Sequence, residues 1–345
     1  MKQLKCSEAR DQLQKTIYSC GEFSYEYIPD FCKELPGNLR NLSIAGGCTD
    51  PDGNVYLAAR GIPSQIIQMN PEGEFVKAFG RELNMGDHIH FIYYTPDHTL
   101  LVADTNHHVI REITTEGEQI RYFGNMDRPS DTGMDMGFVM RERKKGIFPT
   151  EPCNTIPSFW IMLEGMKRVA RVGEPFNMPT DAGMTSDGSY IFADGYGNRA
   201  IHKFRPDGTY ETTWGGVGEW NLTSTTPGKF LVMHAVAVDH MDRVWVCDRE
   251  KDAVHVLDQE GNTVGYCSTN MGQPSGVDAD DKYIYVVGRA GYLTIFDLDL
   301  NIAAQLGTFN SDLRAHDIAV DRKGNLFLFP THANEDHQVI QLKRI

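Results

Sequence analysis

Short runs of alternating apolar and polar residues dominate the chain, and they recur in a fixed order. The clearest stretch is Gly228 to Glu250, GKFLVMHAVAVDHMDRVWVCDRE. It holds an apolar run from Ala235 to Val238, a polar turn Asp239-His240-Met241-Asp242, and a second apolar run, Val244-Trp245-Val246, that ends at Asp248-Arg249. Period-two alternation bounded by turn residues predicts two antiparallel strands. Fourteen residues separate His234 from Asp248, His90 from Asp104 and Thr180 from Asp194. Gly46 to Arg60, Ser275 to Arg289 and His316 to Pro330 keep the interval with a different closing residue. The chain therefore carries six copies of one unit, whose first position reads Gly46, His90, Thr180, His234, Ser275 and His316.

Each unit reads strand, turn, strand, turn, strand, turn, strand. In the first, strands are expected near Ser43 to Gly47, Val55 to Ala59, Gln65 to Met69 and Phe75 to Phe79. Asp52-Gly53, Glu72-Gly73, Glu116-Gly117, Asp187-Gly188, Asp207-Gly208 and Glu260-Gly261 mark the turns, because glycine accepts positive φ without steric cost. Repeats of this length mean a solenoid or a propeller. A solenoid needs polar caps at both ends, and none is evident. The predicted fold is all-β, a single six-bladed β-propeller over residues 1–345. The last unit lacks a fourth strand after Gln338 to Leu342, while Phe23 to Ile28 is a strand without a unit. Pairing the two closes the ring and removes its exposed edges. Residues 1–22 are expected to be peripheral, with a short polar helix over 1–20.

One connection breaks the rhythm. Residues 125–175 form an insertion with a basic run, Arg141 to Lys145, and an apolar patch, Phe159 to Met162. Loops this long are functional or disordered, and the apolar content argues against disorder. The insertion leaves a fourth strand for the next first strand, which makes it a lid on the face where first strands begin. The basic run reads as a solvated face.

Composition narrows the function. The formal charge is −14 over 345 residues, which argues against nucleic acid or an anionic membrane as partner. No apolar run is long enough to span a bilayer. The opening residues, MKQLKCSEARDQLQK, lack the apolar core of a secretory leader. Seven cysteines without CxxC spacing are expected to be reduced and structural. A cytoplasmic protein with a small-molecule substrate follows as the expectation.

In a propeller the first strand of each unit lines the central channel. Histidines at alternate copies, His90, His234 and His316, then stand about 120° apart and point at one spot. Three imidazoles with an open fourth position make a catalytic zinc arrangement. The competing account is three unrelated histidines, each satisfied by a hydrogen bond. Second-strand ends return to the same face, so Arg60, Asp104, Asp194-Gly195-Tyr196, Asp248-Arg249 and Arg289 should overhang the histidines.

These residues resemble a known pattern. Pro179-Thr180-Asp181, Asp194-Gly195-Tyr196, His234 and Asp248-Arg249-Glu250 occur in the order seen in peptidyl-α-hydroxyglycine α-amidating lyase, within the wider NHL-repeat propellers. His90, His316-Asp317 and Arg60-Gly61 extend the match over residues 40 to 345. The resemblance implies zinc on His90, His234 and His316, with Tyr196 as the base and Arg60 and Arg249 beside the substrate. It also implies a structural calcium in the channel, for which Asp317 is the matching side chain. The implied chemistry is cleavage of a carbinolamide C–N bond to an amide and an aldehyde. Two departures stand out. Gly197 occupies a position where secreted members carry a disulfide cysteine. Arg314 replaces the methionine usual two residues before the last histidine, and together with Arg289 it suggests an anionic substrate. A zinc hydrolase or hydratase at the same site and a metal-free protein-interaction platform are the alternatives.

Overall fold

A computed structural model describes residues 17–134, 162–220, 226–268, 270–330 and 338–345. Six antiparallel sheets are arranged as the blades of a β-propeller. Five have four strands each and follow the chain in order, from Ser43–Thr49 through Phe75–Phe79 in blade 1 to Pro274–Ala279 through Ile302–Gly307 in blade 5. Innermost strands touch in succession, and the last, Asp317–Val320, touches the first, Ser43–Thr49. Two hydrogen bonds seal that seam: the Gly47 amide donates to Asp317 Oδ2 at 3.1 Å, and Thr49 Oγ1 donates to the Val320 carbonyl at 2.8 Å.

Burial explains the hydrophobic pattern. Blade 2's second strand, Thr99–Asp104, is buried along its whole length. Leu100 and Val102 pack toward blade 1, beside Ile66 and Tyr56, while Leu101 and Ala103 pack toward blade 3, beside Phe192 and Tyr190. A strand covered on both faces reads as a continuous apolar run. Outermost strands such as Phe75–Phe79 have one wet face and alternate instead. The turn glycines Gly53, Gly73, Gly117, Gly188, Gly208 and Gly261 all have positive φ, as their pairs predict.

The ring closes as expected. Phe23–Ile28 pairs with Ile340–Arg344 in blade 6, with Tyr27 opposite Leu342. The N-terminal segment corrects the predicted helix, because Ile17–Cys20 is a fifth strand paired with Phe23–Ile28 across a turn at Gly21. Alternation decides this locally. Tyr18 turns inward at 5% exposure, with its ring 5.9 Å from Tyr27, while Ile17 stays 52% exposed. Residues 1–16, Arg141 to Lys145 and Phe159 to Ile161 lie outside the described residues.

Deleting residues 1–30 should destabilise the whole ring. Phe23, Tyr25 and Tyr27 are buried, and each contributes about 1.5–3 kcal/mol by its burial. Thermal unfolding of the truncated protein checks this: the midpoint is expected to drop by several degrees, and an unchanged midpoint would disprove closure by this strand.

Candidate metal centre

His90, His234 and His316 converge on the channel axis. Their ring centroids lie 4.7, 4.9 and 4.6 Å apart, and one ligand atom from each falls within 4.8 Å of the others. Among the described residues they are the one such cluster of metal-ligating side chains.

The alternation of histidine and non-histidine copies has a structural basis. His90 Nδ1 donates to the Thr180 carbonyl at 2.8 Å, His234 Nδ1 to the Ser275 carbonyl at 2.6 Å, and His316 Nδ1 to the Ala45 carbonyl at 2.6 Å. Each histidine is thus oriented by the next blade, whose own copy carries no histidine. The accepting carbonyls are available because strand pairing lapses there. Register shifts between Ile44 and Gly47 and between Pro274 and Gly276 mark bulges, and Thr180 precedes its strand. Shifts between Ile89 and Ile92 and between Met233 and Ala235 likewise aim His90 and His234 out of their ladders.

A carbonyl can only accept, so each Nδ1 carries the proton. Burial holds all three imidazoles well below the usual histidine pKa, reinforced by Arg60 at His90, Arg249 at His234 and His90 at His316. Neutral rings protonated at Nδ1 leave bare Nε2 lone pairs. Tyr196 Oη stands 2.8 Å from His90 Nε2 and 2.9 Å from His234 Nε2. One hydroxyl proton cannot satisfy three converging acceptors. The donor set therefore fits a divalent cation, and backbone bonds to the far nitrogens are the usual support for histidine ligands.

Phe91 floors the site, with its ring 4.1 Å from His90, 5.2 Å from His234 and 5.1 Å from His316. Asp317 flanks Gly46 together with Phe91, is buried and accepts the Gly47 amide. Burial, and then Asp181, push the Asp317 carboxyl well up. Gly46 must lack a side chain here, because a Cβ would lie 2.2 Å from Asp317 Oδ2 and 2.6 Å from Phe91.

Tyr196 arrives through a tight approach. A Cβ on Gly195 would sit 1.6 Å from the Met233 carbonyl oxygen, so only glycine lets the Tyr196 loop lie against blade 4. The insertion's stems meet that loop. Leu163 and Met166 pack with Tyr196, Thr132 Oγ1 donates to the Gly197 carbonyl at 2.5 Å, and Arg199 bonds both the Gly195 and Met166 carbonyls.

Three guanidinium groups share this neighbourhood. Arg249 is buried, pairs through Nε with Glu250 at 2.8 Å, and lies 5.8 Å from the Tyr196 ring. Burial opposes its charge, but Glu250 and Tyr196 outweigh that and raise its pKa. Burial lowers Arg60 to about 10, against the favourable pull of Tyr196 and Asp87. Burial and Arg249 lower Arg289, which Tyr196 and Glu250 favour.

Arg314 stands two residues before His316. It lies in the turn before Asp317–Val320, not on a strand, and its guanidinium has no hydrogen bond or ion pair among the described residues. Asp104, Asp194 and Asp248 do not face the histidines. They accept the Gly86, Asn177 and Val232 amides and so tie each approach loop to its own blade. Phe91 and His88 were not singled out by sequence reasoning, and Glu250 entered only as the last residue of the Asp248-Arg249-Glu250 run. Phe91 had a signal, since Gly47, Ala235 and Gly276 at the matching positions are small.

No family model matches the chain. An alignment 179 positions long that covers 46% of the chain is 29% identical to peptidyl-glycine alpha-amidating monooxygenase A of Xenopus laevis. The match spans 18% of that protein's length. A streptogramin B lyase structure superposes with a TM-score of 0.55 at 11% identity, covering 96% of this chain and 100% of that one. Virginiamycin B lyase from Staphylococcus aureus gives 0.54 at 12% identity, over 93% of this chain and 89% of the other. Sequence and fold together support an NHL-like propeller. The solved structures bear on the fold alone, and the 46% stretch supplies the sequence likeness. No helix among the described residues is long and apolar enough to cross a membrane. The five described cysteines are free thiols, with Cys48 and Cys247 buried.

Proposed function

We propose that the protein is a zinc-dependent lyase that cleaves the C–N bond of a small, anionic, hydroxylated amide. The observation that carries this reading is one tyrosine hydroxyl set against two bare imidazole nitrogens and ringed by Arg60, Arg249 and Arg289. His90, His234 and His316 would hold the metal. When bound, zinc supplies Lewis acidity that makes a nearby hydroxyl easier to deprotonate.

The protein's own groups do the rest. Tyr196 acts as the phenolate: its Oη takes the carbinol proton of R–CO–NH–CH(OH)–R′, becomes the phenol, and can then pass that proton on to the departing nitrogen. The C–N bond breaks, its electron pair goes to nitrogen, and the oxygen becomes the aldehyde carbonyl. Nitrogen receives the proton, which leaves R–CO–NH2 and O=CH–R′. Arg60 and Arg249 face the oxygen where negative charge develops. Arg289 and Arg314 serve an anionic group on the substrate. A calcium ion at Asp317 would offset the burial of that carboxylate. The protein acts in the cytoplasm on a small molecule, with neither nucleic acid nor membrane as partner.

The test is metal analysis followed by product analysis. Purified protein should carry about one zinc per chain. Offered an N-acyl-α-hydroxyglycine, it should release the amide and glyoxylate, with the substrate's hydroxyl oxygen retained in the aldehyde. Release of a carboxylic acid and an amine would assign a zinc hydrolase. A metal-free protein that turns over nothing would leave an interaction platform.

A further inference from the structure

The loop that carries Tyr196 is held from outside. In blades 2 and 4 the equivalent loops close on themselves as single 3-10 turns, Thr105–His107 and Arg249–Lys251. The blade 3 loop, between Tyr190–Asp194 and Ala200–Phe204, forms no such turn among the described residues. Its backbone groups go elsewhere. The Gly195 carbonyl accepts Arg199 Nη1 at 2.9 Å, the Gly197 carbonyl accepts Thr132 Oγ1 at 2.5 Å, and the Gly197 amide donates to the Asn177 carbonyl at 2.9 Å. Buried backbone groups need partners, and a loop without internal ones takes the shape that its neighbours impose.

Those neighbours include both stems of the insertion. Thr132 belongs to the outgoing stem, and its Oγ1 also accepts Asn177 Nδ2 at 3.1 Å. Met166 and Gly173 belong to the returning stem. Arg199 Nη2 donates to the Met166 carbonyl at 2.6 Å. Asn198 Nδ2 donates to the Gly173 carbonyl at 3.2 Å, and its Oδ1 accepts the Gly173 amide at 3.1 Å. Thr132, Asn177, Asn198 and Arg199 are each at most 2% exposed. Arg199 is the unusual member, because its guanidinium is spent on the carbonyl oxygens of Gly195, Asn198 and Met166. Burial lowers its pKa to about 10, which leaves it charged at neutral pH. Burying that charge is unfavourable, whereas its charge-assisted hydrogen bonds are strong. One planar fork thus joins the Tyr196 loop to the returning stem.

We propose that Arg199 and Thr132 are positioning residues, which fasten the insertion's stems to the Tyr196 loop and so set Tyr196 Oη at His90 and His234. The proposal rests on the reading of Tyr196 as the group that moves the proton. Both side chains act through the backbone, at Gly195 and Gly197 on either side of Tyr196. The insertion's stems are then a working part of the reaction centre.

Hydrogen exchange and steady-state kinetics on the full-length, zinc-loaded protein test this. Exchange reads the free energy of local opening. The amides of residues 195–199 should exchange about 10- to 100-fold faster in Arg199→Met and about 3- to 10-fold faster in Thr132→Val, the effects of losing a charged and a neutral hydrogen bond. Val244–Asp248 in blade 4 should keep parental protection, which a general loss of stability would not allow. With N-acetyl-α-hydroxyglycine, kcat should fall about 10- to 100-fold, the effect of misplacing a reacting group by about 1 Å. KM should move less than about threefold, because the arginines beside the substrate lie on other blades. Zinc content should stay parental throughout. Arg199→Lys and Thr132→Ser keep a donor and should recover part of both effects. If Arg199→Met fails to fold, the nearly isosteric Thr132→Val decides the matter. Parental exchange at residues 195–199 in Thr132→Val would overturn the tether, and faster exchange with a parental kcat would overturn its role in placing Tyr196. A parent without turnover would instead overturn the lyase reading, and exchange at residues 195–199 then decides the tether by itself.

Discussion

Replacing His90, His234 and His316 by alanine should reduce bound zinc from about one equivalent per chain to a trace. Each single replacement should release most of it, because two imidazoles make a weak site. The propeller should survive. Its hydrophobic clusters lie between adjacent blades, and none includes these histidines. Circular dichroism separates loss of metal from loss of fold. Metal should also stabilise the parent: at a free zinc concentration a hundredfold above Kd, binding adds about 2.7 kcal/mol. The midpoint of the triple variant should ignore zinc altogether. A triple variant that still binds one zinc per chain would show that the ligands lie elsewhere. Iron or manganese in the parent would keep the site and count against the lyase chemistry.

Tyr196→Phe isolates the hydroxyl, leaving the ring and its packing against Leu163, Met166 and Val232 in place. If Tyr196 Oη moves the proton, turnover of an N-acyl-α-hydroxyglycine should fall by about 10²- to 10⁴-fold. Zinc content should be retained, because the three Nε2 atoms and their backbone supports are untouched. Removing the hydroxyl deletes the contacts at 2.8 and 2.9 Å to His90 and His234. Zinc affinity should therefore change little, or rise. Single-turnover kinetics and metal analysis on one preparation decide the outcome. Turnover within a few-fold of the parent would reduce Tyr196 to packing.

Fold and site were legible to different depths. Six copies of a strand pair with a fixed fourteen-residue interval imply six equivalent blades, since backbone pairing and hydrophobic alternation are local and repeat with the sequence. Histidine at alternate copies then implied convergence, because equivalent positions in a closed ring share one axis. Ring closure by Phe23–Ile28 could be read for a similar reason: an unpaired strand and an incomplete blade each expose backbone that the other satisfies. The strand at Ile17–Cys20 was missed because a four-residue run shows too little alternation to outweigh the polar residues before it.

What the sequence by itself determined is the repeat, the strand order and which residues can reach the channel. Tertiary structure alone decided how those residues are used. Bulges at Ala45 and Ser275 free the carbonyls that orient the imidazoles, and no residue pattern announces a lapse in pairing. Phe91 and Asp317 both come against blade 1 only because Gly46 leaves room for them. Arg60 and Arg249 come to Tyr196 while Arg314 stays in a turn, and Asp104, Asp194 and Asp248 are drawn into their own blades by backbone amides. The physical reason is common to all of them. Alternation and turn chemistry act between residues close along the chain. Carbonyl availability, burial and charge compensation depend on neighbours from other blades, brought together only when the ring closes.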